Sequence, residues 1–364
     1  MGRTWRTLGP PSSRSRSRWC GTRPGSAGVV AEVCVDGSDR IGGCFPPGGP
    51  GRPRIVVGVD GSPGARAALA WALRAAARRG ADLEVVAAFP VDLYWIDAYL
   101  LEPEAIGELR RDTDQRARAM VAEVRSEPAV TVVPGSAGTV VDVVVLPGGP
   151  AENLVQRAES ADLLVVGSRG RGSLRSTLLG TVALHVSAHA ACPVVVVHSP
   201  SPAPSGTVVV GLDNSDHARA ALLAAVDEAG RTGARVEAVL AYEVPNYWSD
   251  LAPVMGPVLG ESREQALERG EAIVSDVLGP GPLLRGTVRV VAVPGSPGEA
   301  LVRHAADAAL LVVGSRSRSR LRGAVLGSVA LHCVVHASCP VMVVHRRPVA
   351  RSSGPTAVPA AARG

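Results

Sequence analysis

The stretch "ADLLVVGSRGRGSLRSTLLGTVALHVSAHAACPVVVVH", residues 161–198, decides the fold. It begins with an aliphatic run over 162–166 and ends with another over 193–198, and each has the near-continuous Val and Leu content of a strand buried on both faces. A loop rich in glycine and arginine lies between them, followed by a helical segment near 178–190. This succession of strand, helix and strand with short loops is typical of a parallel sheet covered by helices.

The stretch recurs, and so does the sequence around it. Residues 161–198 return as 308–345, and "RIVVGVDGSPGARAALAWALRAA" (54–76) returns as "TVVVGLDNSDHARAALLAAVDEA" (207–229). A period as long as a whole domain indicates tandem duplication and not a solenoid. We therefore expect a disordered basic extension over 1–53, domain 1 (copy 1) over 54–199, a linker over 200–206, domain 2 (copy 2) over 207–346 and a disordered tail over 347–364.

Copy 1 alternates between strand and helix patterns. Strands are expected near 54–59, 83–88, 139–145, 162–166 and 193–198, and helices near 64–79, 103–125, 150–159 and 178–190. This alternation predicts the α/β class, as two tandem doubly wound parallel-sheet domains. Copy 1 has about six more residues than copy 2, expected within 126–148, and the aromatic-containing segments 90–102 and 244–257 are expected to form flaps beside a site.

Composition excludes several classes of protein. All 38 basic residues are arginine, so a P-loop NTPase of the GxxxxGK[ST] type and a Schiff-base enzyme are excluded. No apolar run approaches the roughly 18–20 residues that span a bilayer, so we expect no membrane association. The positive charge is concentrated in residues 1–54. Because a basic low-complexity run is weak evidence by itself, we expect a dispensable extension and not a basic arm, and no nucleic-acid partner.

The glycine-rich loop has the chemistry of an anion site. Gly167 and Gly170 would let backbone N–H groups approach a phosphate, and we expect Gly170 either at positive φ or pressed against that phosphate. Gly180 and Thr181 would open a helix whose N-terminus favours an anion. Asp60 follows the first strand and could accept from ribose hydroxyls or an adenine amine, or support a divalent cation. A plain strand-to-helix connection and, for Asp60, a helix cap are the structural alternatives.

These residues also match a family pattern. Gly167, Gly170, Gly180 and Thr181 satisfy the spacing G-x2-G-x9-G-[ST]. Together with Asp60 and the later "ACPVVVV", the pattern resembles the universal stress protein family, in its tandem two-domain, ATP-binding class. The resemblance covers residues 54–346, and a four-position motif with fixed spacing is far more specific than a lone glycine-rich loop.

The resemblance implies two Rossmann-like domains of the adenine nucleotide alpha hydrolase-like type that bind ATP, with Mg²⁺ as an accompanying ion. It implies a regulator of stress or dormancy responses, with unknown protein partners, and no efficient enzyme. The final strands, 193–198 and 340–345, would pair the two domains as an intrachain pseudo-dimer, and two chains could pair further as a homodimer. The nucleotide-binding residues carried over to copy 1 are Gly58, Val59, Asp60, Ala88, Gly167, Arg169, Gly170, Gly180, Thr181 and Val182, with Ala87 beside Ala88 in the adenine pocket.

Copy 2 departs from this pattern at one position. Asp213, Gly314, Gly327 and Ser328 are the corresponding site residues, but Ser317 stands where the second glycine belongs. We therefore expect copy 2 to bind nucleotide about ten-fold more weakly than copy 1, or not at all.

The sequence also bears on functions other than nucleotide binding alone. An adenylating enzyme would carry S-G-G-x-D-S after the first strand, and this chain does not; a slow ATP-hydrolysing enzyme and an interaction scaffold without nucleotide remain alternatives.

His185, His189 and Cys192 could suggest zinc, but the zincin pattern is absent, and we expect helix-end histidines, a buried thiol and no metal site. The six cysteines form no close-spaced framework, so we expect a reduced, cytoplasmic setting.

Overall fold

The computed structural model describes residues 52–89, 103–170, 179–198, 206–242, 262–279, 288–316 and 326–345. The predicted flaps, the tail, nearly all of the extension and most of the linker lie outside these ranges. The elements of copy 1 are β1 (Arg54–Val59), α1 (Pro63–Arg79), β2 (Asp82–Phe89), α2 (Pro103–Arg125), α3 (Pro128–Thr131), a 3₁₀ turn (Ser136–Gly138), β3 (Val141–Pro147), α4 (Pro150–Ala158), β4 (Leu163–Gly167), α5 (Thr181–His189) and β5 (Val194–Val197).

Within the described residues, copy 2 repeats the order of the five strands and of the four helices α1, α2, α4 and α5. Its elements are β6 (Thr207–Gly211), α6 (Asp216–Thr232), β7 (Arg235–Tyr242), α7 (Arg263–Leu278), β8 (Val288–Pro294), α8 (Pro297–His304), β9 (Leu310–Gly314), α9 (Ser328–His336) and β10 (Val341–Val344). Residues 126–140 of copy 1 correspond to 279–287 of copy 2, which places the extra residues of copy 1 where they were expected. In copy 1, residues 126–140 contain α3 and the 3₁₀ turn.

The ten strands of the described residues form one sheet in the order β3-β2-β1-β4-β5-β10-β9-β6-β7-β8. Within each copy every neighbouring pair is parallel. The copies meet at β5 and β10, which pair antiparallel with Val195 opposite Met342; we call this strand pair the seam. The predicted doubly wound parallel domains are therefore confirmed, and within one chain the seam joins them into a continuous sheet.

Helices cover both faces of the sheet. On one face Ile55 and Val57 of β1 pack in a core with Leu69 of α1, and the other face buries Val56 with Leu154 of α4. Alternate residues of each strand thus enter different cores, and both cores consist almost entirely of Val, Ala and Leu. This explains why the strands read as continuous aliphatic runs in a chain with 3% aromatic residues.

The long helices have well-defined ends. The Ser62 side chain accepts from the Ala65 N–H and Pro63 occupies the first helical position, so α1 begins there. Gly80, at φ 58° in the left-handed region, ends it. The predicted ends of the strands and helices in copy 1 all lie within three residues of the observed ends. The largest difference is the start of α5, which begins at Thr181 because Gly180 still has extended backbone, with ψ 149°.

Candidate functional site

The candidate site lies at the carboxyl ends of β1 and β4, the adjacent central strands of copy 1. From β1 the chain continues to β2 on one side, and from β4 it continues to β5 on the other. The chain therefore leaves the sheet in opposite directions at this point. Ligands of open α/β sheets bind in the crevice that such a divergence creates.

The loop after β1 holds Asp60 in a defined turn. Asp60 Oδ1 accepts a hydrogen bond from the backbone N–H of Ser62 at 2.9 Å, and Ser62 Oγ accepts from the Ala65 N–H at 3.1 Å. The N-cap of α1 is therefore Ser62, and Asp60 does not have the capping role that was the structural alternative for it. Asp60 instead shapes the turn before the helix, and it is exposed at the mouth of the site.

The glycine-rich loop after β4 is tied down at both of its ends. The Ser168 N–H donates to the Val197 carbonyl at 2.8 Å, and the Gly180 N–H donates to the Ser168 carbonyl at 2.8 Å. Ser62 Oγ donates to the Arg169 carbonyl at 3.3 Å and so joins this loop to the loop of Asp60. Residues 171–178 of the loop lie outside the described residues.

The glycines allow the two loops to touch backbone to backbone. A Cβ at Gly167 would lie 2.6 Å from the carbonyl carbon of Gly64, and a Cβ at Gly64 would collide with the Arg169 carbonyl oxygen. A Cβ at Gly170 would lie 2.5 Å from Asp60 Oδ2. Gly170 does not have positive φ, so one reason expected for glycine at this position is wrong. The requirement is steric, because any side chain there would meet the Asp60 carboxylate.

Helix α5 begins directly beneath this loop. Its N-cap is Gly180, which has no side chain to accept from the first-turn N–H groups, and the first helical bond runs from the Leu184 N–H to the Gly180 carbonyl at 3.1 Å. The N–H groups of Thr181, Val182 and Ala183 precede that bond. Backbone N–H groups at a helix start, with the positive end of the helix dipole, form a favourable site for an anion.

These parts enclose a cavity of about 380 Å³, within the range of small-molecule sites. It brings together every residue that was predicted for copy 1 except Ala87. The lining residues are Gly58, Val59, Asp60, Ala65, Val86, Ala88, Pro150, Leu154, Val166, Gly167, Arg169, Gly170, Leu179, Gly180, Thr181, Val182 and Ala183. Its walls are apolar, and Asp60, Arg169 and Thr181 supply the polar side chains.

One wall of this cavity was not predicted. Pro150 and Leu154 belong to α4, which lies across the end of β1. A Cβ at Gly58 would lie 2.8 Å from Leu154 Cδ1, so glycine at that position lets α4 approach the strand. The local pattern gave α4 an apolar side but did not indicate which strand end it would cover.

A second cavity of about 280 Å³ adjoins the first on the opposite face of the sheet. The two share Val59, Asp60 and Ala88, and Ala87 lines only the second. Helix α2 contributes Arg116, which is exposed and paired with Asp112. Asp60 therefore stands between two cavities.

Copy 2 has a corresponding cavity of about 300 Å³. It contains the predicted Asp213, Gly314 and Gly327, and Ser328 begins α9 at its edge. Asp213 Oδ1 accepts from the Ser215 N–H at 2.9 Å, as Asp60 does in copy 1. Ser317, the departure from the motif, lies outside the described residues.

Comparison with known sequences accords with this architecture. The model of the universal stress protein family matches residues 51–198 and again residues 205–345. The chain belongs to the universal stress protein family. The expected tandem form is thereby confirmed, since each match covers one copy.

Similar proteins include a universal stress protein of Mycobacterium tuberculosis strain H37Rv, which is 33% identical over 303 residues, covering 80% of this chain and 97% of that protein. A solved universal stress protein from Archaeoglobus fulgidus has 20% identity and a TM-score of 0.57, covering 80% of this chain and 96% of that one. Another from the same organism, solved in complex with dAMP, has 25% identity and a TM-score of 0.28, covering 40% and 96%.

In the first universal stress protein domain the candidate zinc ligands do not come together. His185 and His189 stack on the surface of α5 with ring centroids 4.4 Å apart, whereas Cys192 is buried at 1% exposure. Within the ranges that the structure describes, no cluster of three or more His, Cys, Asp or Glu side chains could hold a metal ion. Among the helices of those ranges, none combines the length and apolar character needed to cross a membrane.

Proposed function

We propose that this universal stress protein binds ATP in the cavity of copy 1. The observation that carries the proposal is the meeting of three features in one cavity: the Asp60 carboxylate, the glycine loop and the start of α5. A carboxylate suits hydroxyl or amine donors, whereas glycine N–H groups and a helix N-terminus suit phosphate. The apolar wall between them suits a flat base.

Each part of the nucleotide would have its own partners. The adenine would lie against Ala88 and Leu154, and Asp60 would accept from the ribose hydroxyls. The phosphates would lie at Gly170 and at the first turn of α5, where the Thr181 hydroxyl could donate. Asp60, a hard oxygen ligand, is the residue that would hold a Mg²⁺ ion, which would offset the negative charge of the phosphates.

We also propose that the protein works as a nucleotide-dependent regulator of stress or dormancy responses. The chain contains no lysine to offset the charge that develops in phosphoryl transfer. Asp60, the carboxylate that adjoins the loop, is held in its turn by the Ser62 N–H. We expect steady-state ATP turnover well below the roughly 1 s⁻¹ of ordinary enzymes.

The test is calorimetric titration of the full chain with ATP, together with mass spectrometry of nucleotide released from the purified protein. Gly170→Glu should weaken binding in copy 1 by roughly 100-fold or more, because a side chain and a like charge enter the phosphate region. Gly230→Glu is the matched control: Gly230 lies on the exposed side of α6, where a Cβ would meet nothing within 4 Å. Both variants should fold.

The outcomes separate the alternatives. Unchanged affinity in Gly170→Glu would place the nucleotide elsewhere. No released nucleotide and no thermal shift with ATP would favour an interaction scaffold. Sustained hydrolysis on the order of 1 s⁻¹ would show an ATP-hydrolysing enzyme.

We further propose that the protein works in the cytoplasm. Cys333 and Cys339 are buried thiols outside any disulfide, as a reducing compartment would keep them. Two chains could associate as a homodimer in addition to the seam, and light scattering of the full chain would give the oligomeric state.

A further inference from the structure

Two histidines cross the seam in opposite directions. His198 follows β5 of copy 1, and its Nε2 donates to the carbonyl of Val334 in α9 of copy 2 at 2.9 Å. His345 follows β10 of copy 2, and its Nε2 donates to the carbonyl of Ser187 in α5 of copy 1 at 3.0 Å. The seam places these two contacts in equivalent positions of the two copies.

Each contact satisfies the end of a helix. The last four carbonyls of an α-helix have no partner within it. The Cys333 carbonyl receives the Ala337 N–H, and the Val186 carbonyl receives the Ala190 N–H. The next carbonyl of each helix receives a histidine of the other copy, so each copy caps a helix of its neighbour.

Each histidine is also tied to the glycine loop of its own copy. The Ser168 N–H donates to the carbonyl of Val197, the residue immediately before His198. In copy 2 the Ser315 N–H donates at 2.9 Å to the carbonyl of Val344, immediately before His345. A loop that moves at Ser168 therefore moves the strand end that carries His198.

Each capped helix begins at the candidate site of its own copy, which is not the copy that supplies the histidine. Helix α9 starts beside Gly327 and α5 starts beside Gly180, each within a cavity lining. Nine helical residues span about 13 Å, a distance over which a helix moves as a rigid unit. The glycine loop of one copy is thus connected, through one histidine and one short helix, to the anion-binding end of the other copy.

We propose that His198 and His345 couple the two sites, so that nucleotide in one copy orders the other. This proposal rests on nucleotide binding at the glycine loops. Nucleotide that fixes the loop of copy 1 fixes Ser168 and His198, and His198 then restrains α9. Because part of the ordering cost has been met, copy 2 binds nucleotide more tightly, and by linkage the effect is reciprocal. His198 and His345 are positioning residues, since neither lines the described part of a cavity.

Hydrogen exchange of the full chain tests the coupling. Gly327→Glu would place a carboxylate at the start of α9, so that ATP enters copy 1 alone. Calorimetry verifies this occupancy. With ATP, amides of 326–345 should exchange several-fold more slowly, whereas β8 (Val288–Pro294), at the far edge of the sheet, should not change.

Two substitutions in the same Gly327→Glu chain identify the histidine as the link. His198→Phe keeps a ring but loses the N–H donor, so the ATP effect on 326–345 should disappear while that on 179–198 persists. His198→Gln keeps an N–H donor and should retain the effect on 326–345. The Gln variant also serves if the Phe variant does not fold.

The outcomes are distinct. Absence of calorimetric binding would overturn the proposed function itself. Binding in copy 1 that slows exchange in 179–198 but leaves 326–345 unchanged would overturn the coupling alone. An equal ATP effect on 326–345 in the Gly327→Glu parent chain and in its His198→Phe derivative would show that the seam strands carry the coupling without the histidine.

Discussion

The two copies differ at the start of the helix that follows their first strand. In copy 1 this position is Gly64, and the Arg169 carbonyl packs against it where a Cβ would collide. In copy 2 it is His217, and a Cβ at Gly314 would lie 2.8 Å from the His217 Cβ. Copy 2 keeps the close approach of Gly314 to the backbone of this residue, since a Cβ at Gly314 would also lie 2.8 Å from the His217 carbonyl carbon, but His217 has the Cβ that Gly64 lacks where the Arg169 carbonyl packs in copy 1. Two substitutions, His217 and Ser317, change one site while the surrounding fold stays the same.

The copies also differ at the amino ends of their strands. In copy 1 the Glu84 carboxylate is 1% exposed and accepts from Arg54 Nη1 at 2.7 Å. In copy 2 Thr207 replaces the arginine, and Glu237 is 25% exposed and pairs with His304 Nε2 at 2.7 Å. A cavity of about 130 Å³ lies at that point in copy 2. The more closely packed copy is thus the one whose loop has the complete glycine motif.

The interface between the copies is asymmetric in one respect. Arg79 of α1 pairs with Glu228 of α6 across the sheet face, with side-chain exposures of 13% and 4%. The equivalent positions are Thr232 for Arg79 and Ala75 for Glu228, so the ion pair cannot occur twice. This pair stabilises copy 1 against copy 2 and would be lost if either copy paired with itself.

The largest expected effect concerns this ion pair. Arg79→Ala leaves the Glu228 carboxylate buried without its charge partner, and should lower the free energy of unfolding by roughly 3–5 kcal/mol. Urea denaturation of the full chain measures it. The matched control is Arg118→Ala, which removes an exposed helix pair with Asp114 and should cost less than about 0.5 kcal/mol. Equal losses in the two variants would contradict a specific interface.

The next prediction concerns the difference between the sites. In a chain whose copy 1 is closed by Gly170→Glu, ATP affinity reports copy 2 alone. Ser317→Gly with His217→Gly should raise that affinity by roughly ten-fold, about 1.4 kcal/mol, because the loop can then adopt the packing of copy 1. Calorimetry measures it. If wild type already has two equally tight sites and the glycine variants change nothing, the asymmetry is wrong.

The third prediction is a dependence of stability on pH. Burial lowers the pKa of His198 and that of His345 below the ordinary value of 6.5. Nearby groups lower these pKa values further, namely Arg169 at His198, and His217 and Arg316 at His345. Since the folded chain holds these rings neutral, their contribution is present above the ordinary pKa and is lost as the pH falls through that value toward the lower folded pKa. The melting temperature should fall over this window.

The seam histidines can be separated from other titrating groups. The double variant His198→Gln and His345→Gln should have a smaller fall in melting temperature between about pH 7 and about pH 5 than wild type. A fall of the same size in wild type and the double variant would assign the pH dependence to other groups.

The smallest effect is expected at the cysteines. Burial raises the pKa of Cys333 to about 12 and that of Cys339 to about 11, so neither forms appreciable thiolate at neutral pH. Iodoacetamide should leave peptides over 326–345 unmodified in the native protein and alkylate them in urea. Copy 2 has Cys333 where copy 1 has Val186, so α9 alone carries this thiol. Alkylation of Cys333 in the native protein would show that α9 opens more readily than its packing indicates.

Much of the fold and of the site follows from the sequence, because the signals are local. An aliphatic run predicts a buried strand such as β4 by itself, and the spacing from Gly167 to Thr181 fixes a loop between a strand and a helix. Since carboxyl ends of parallel strands share one edge, Asp60 and the loop had to lie near each other. The duplication then predicted the second domain from the first.

Other features depend on which remote segments meet, and no local pattern determines that. Leu154 lines the cavity of copy 1 because α4 lies over β1, and the steric need for Gly170 comes from Asp60, 110 residues earlier in the chain. The histidine contacts require β5 and β10 to pair antiparallel, which brings His198 to the end of α9. Backbone hydrogen bonding and burial encode the elements along the chain, whereas the close packing that excludes a side chain or satisfies a helix end exists only once the elements are assembled.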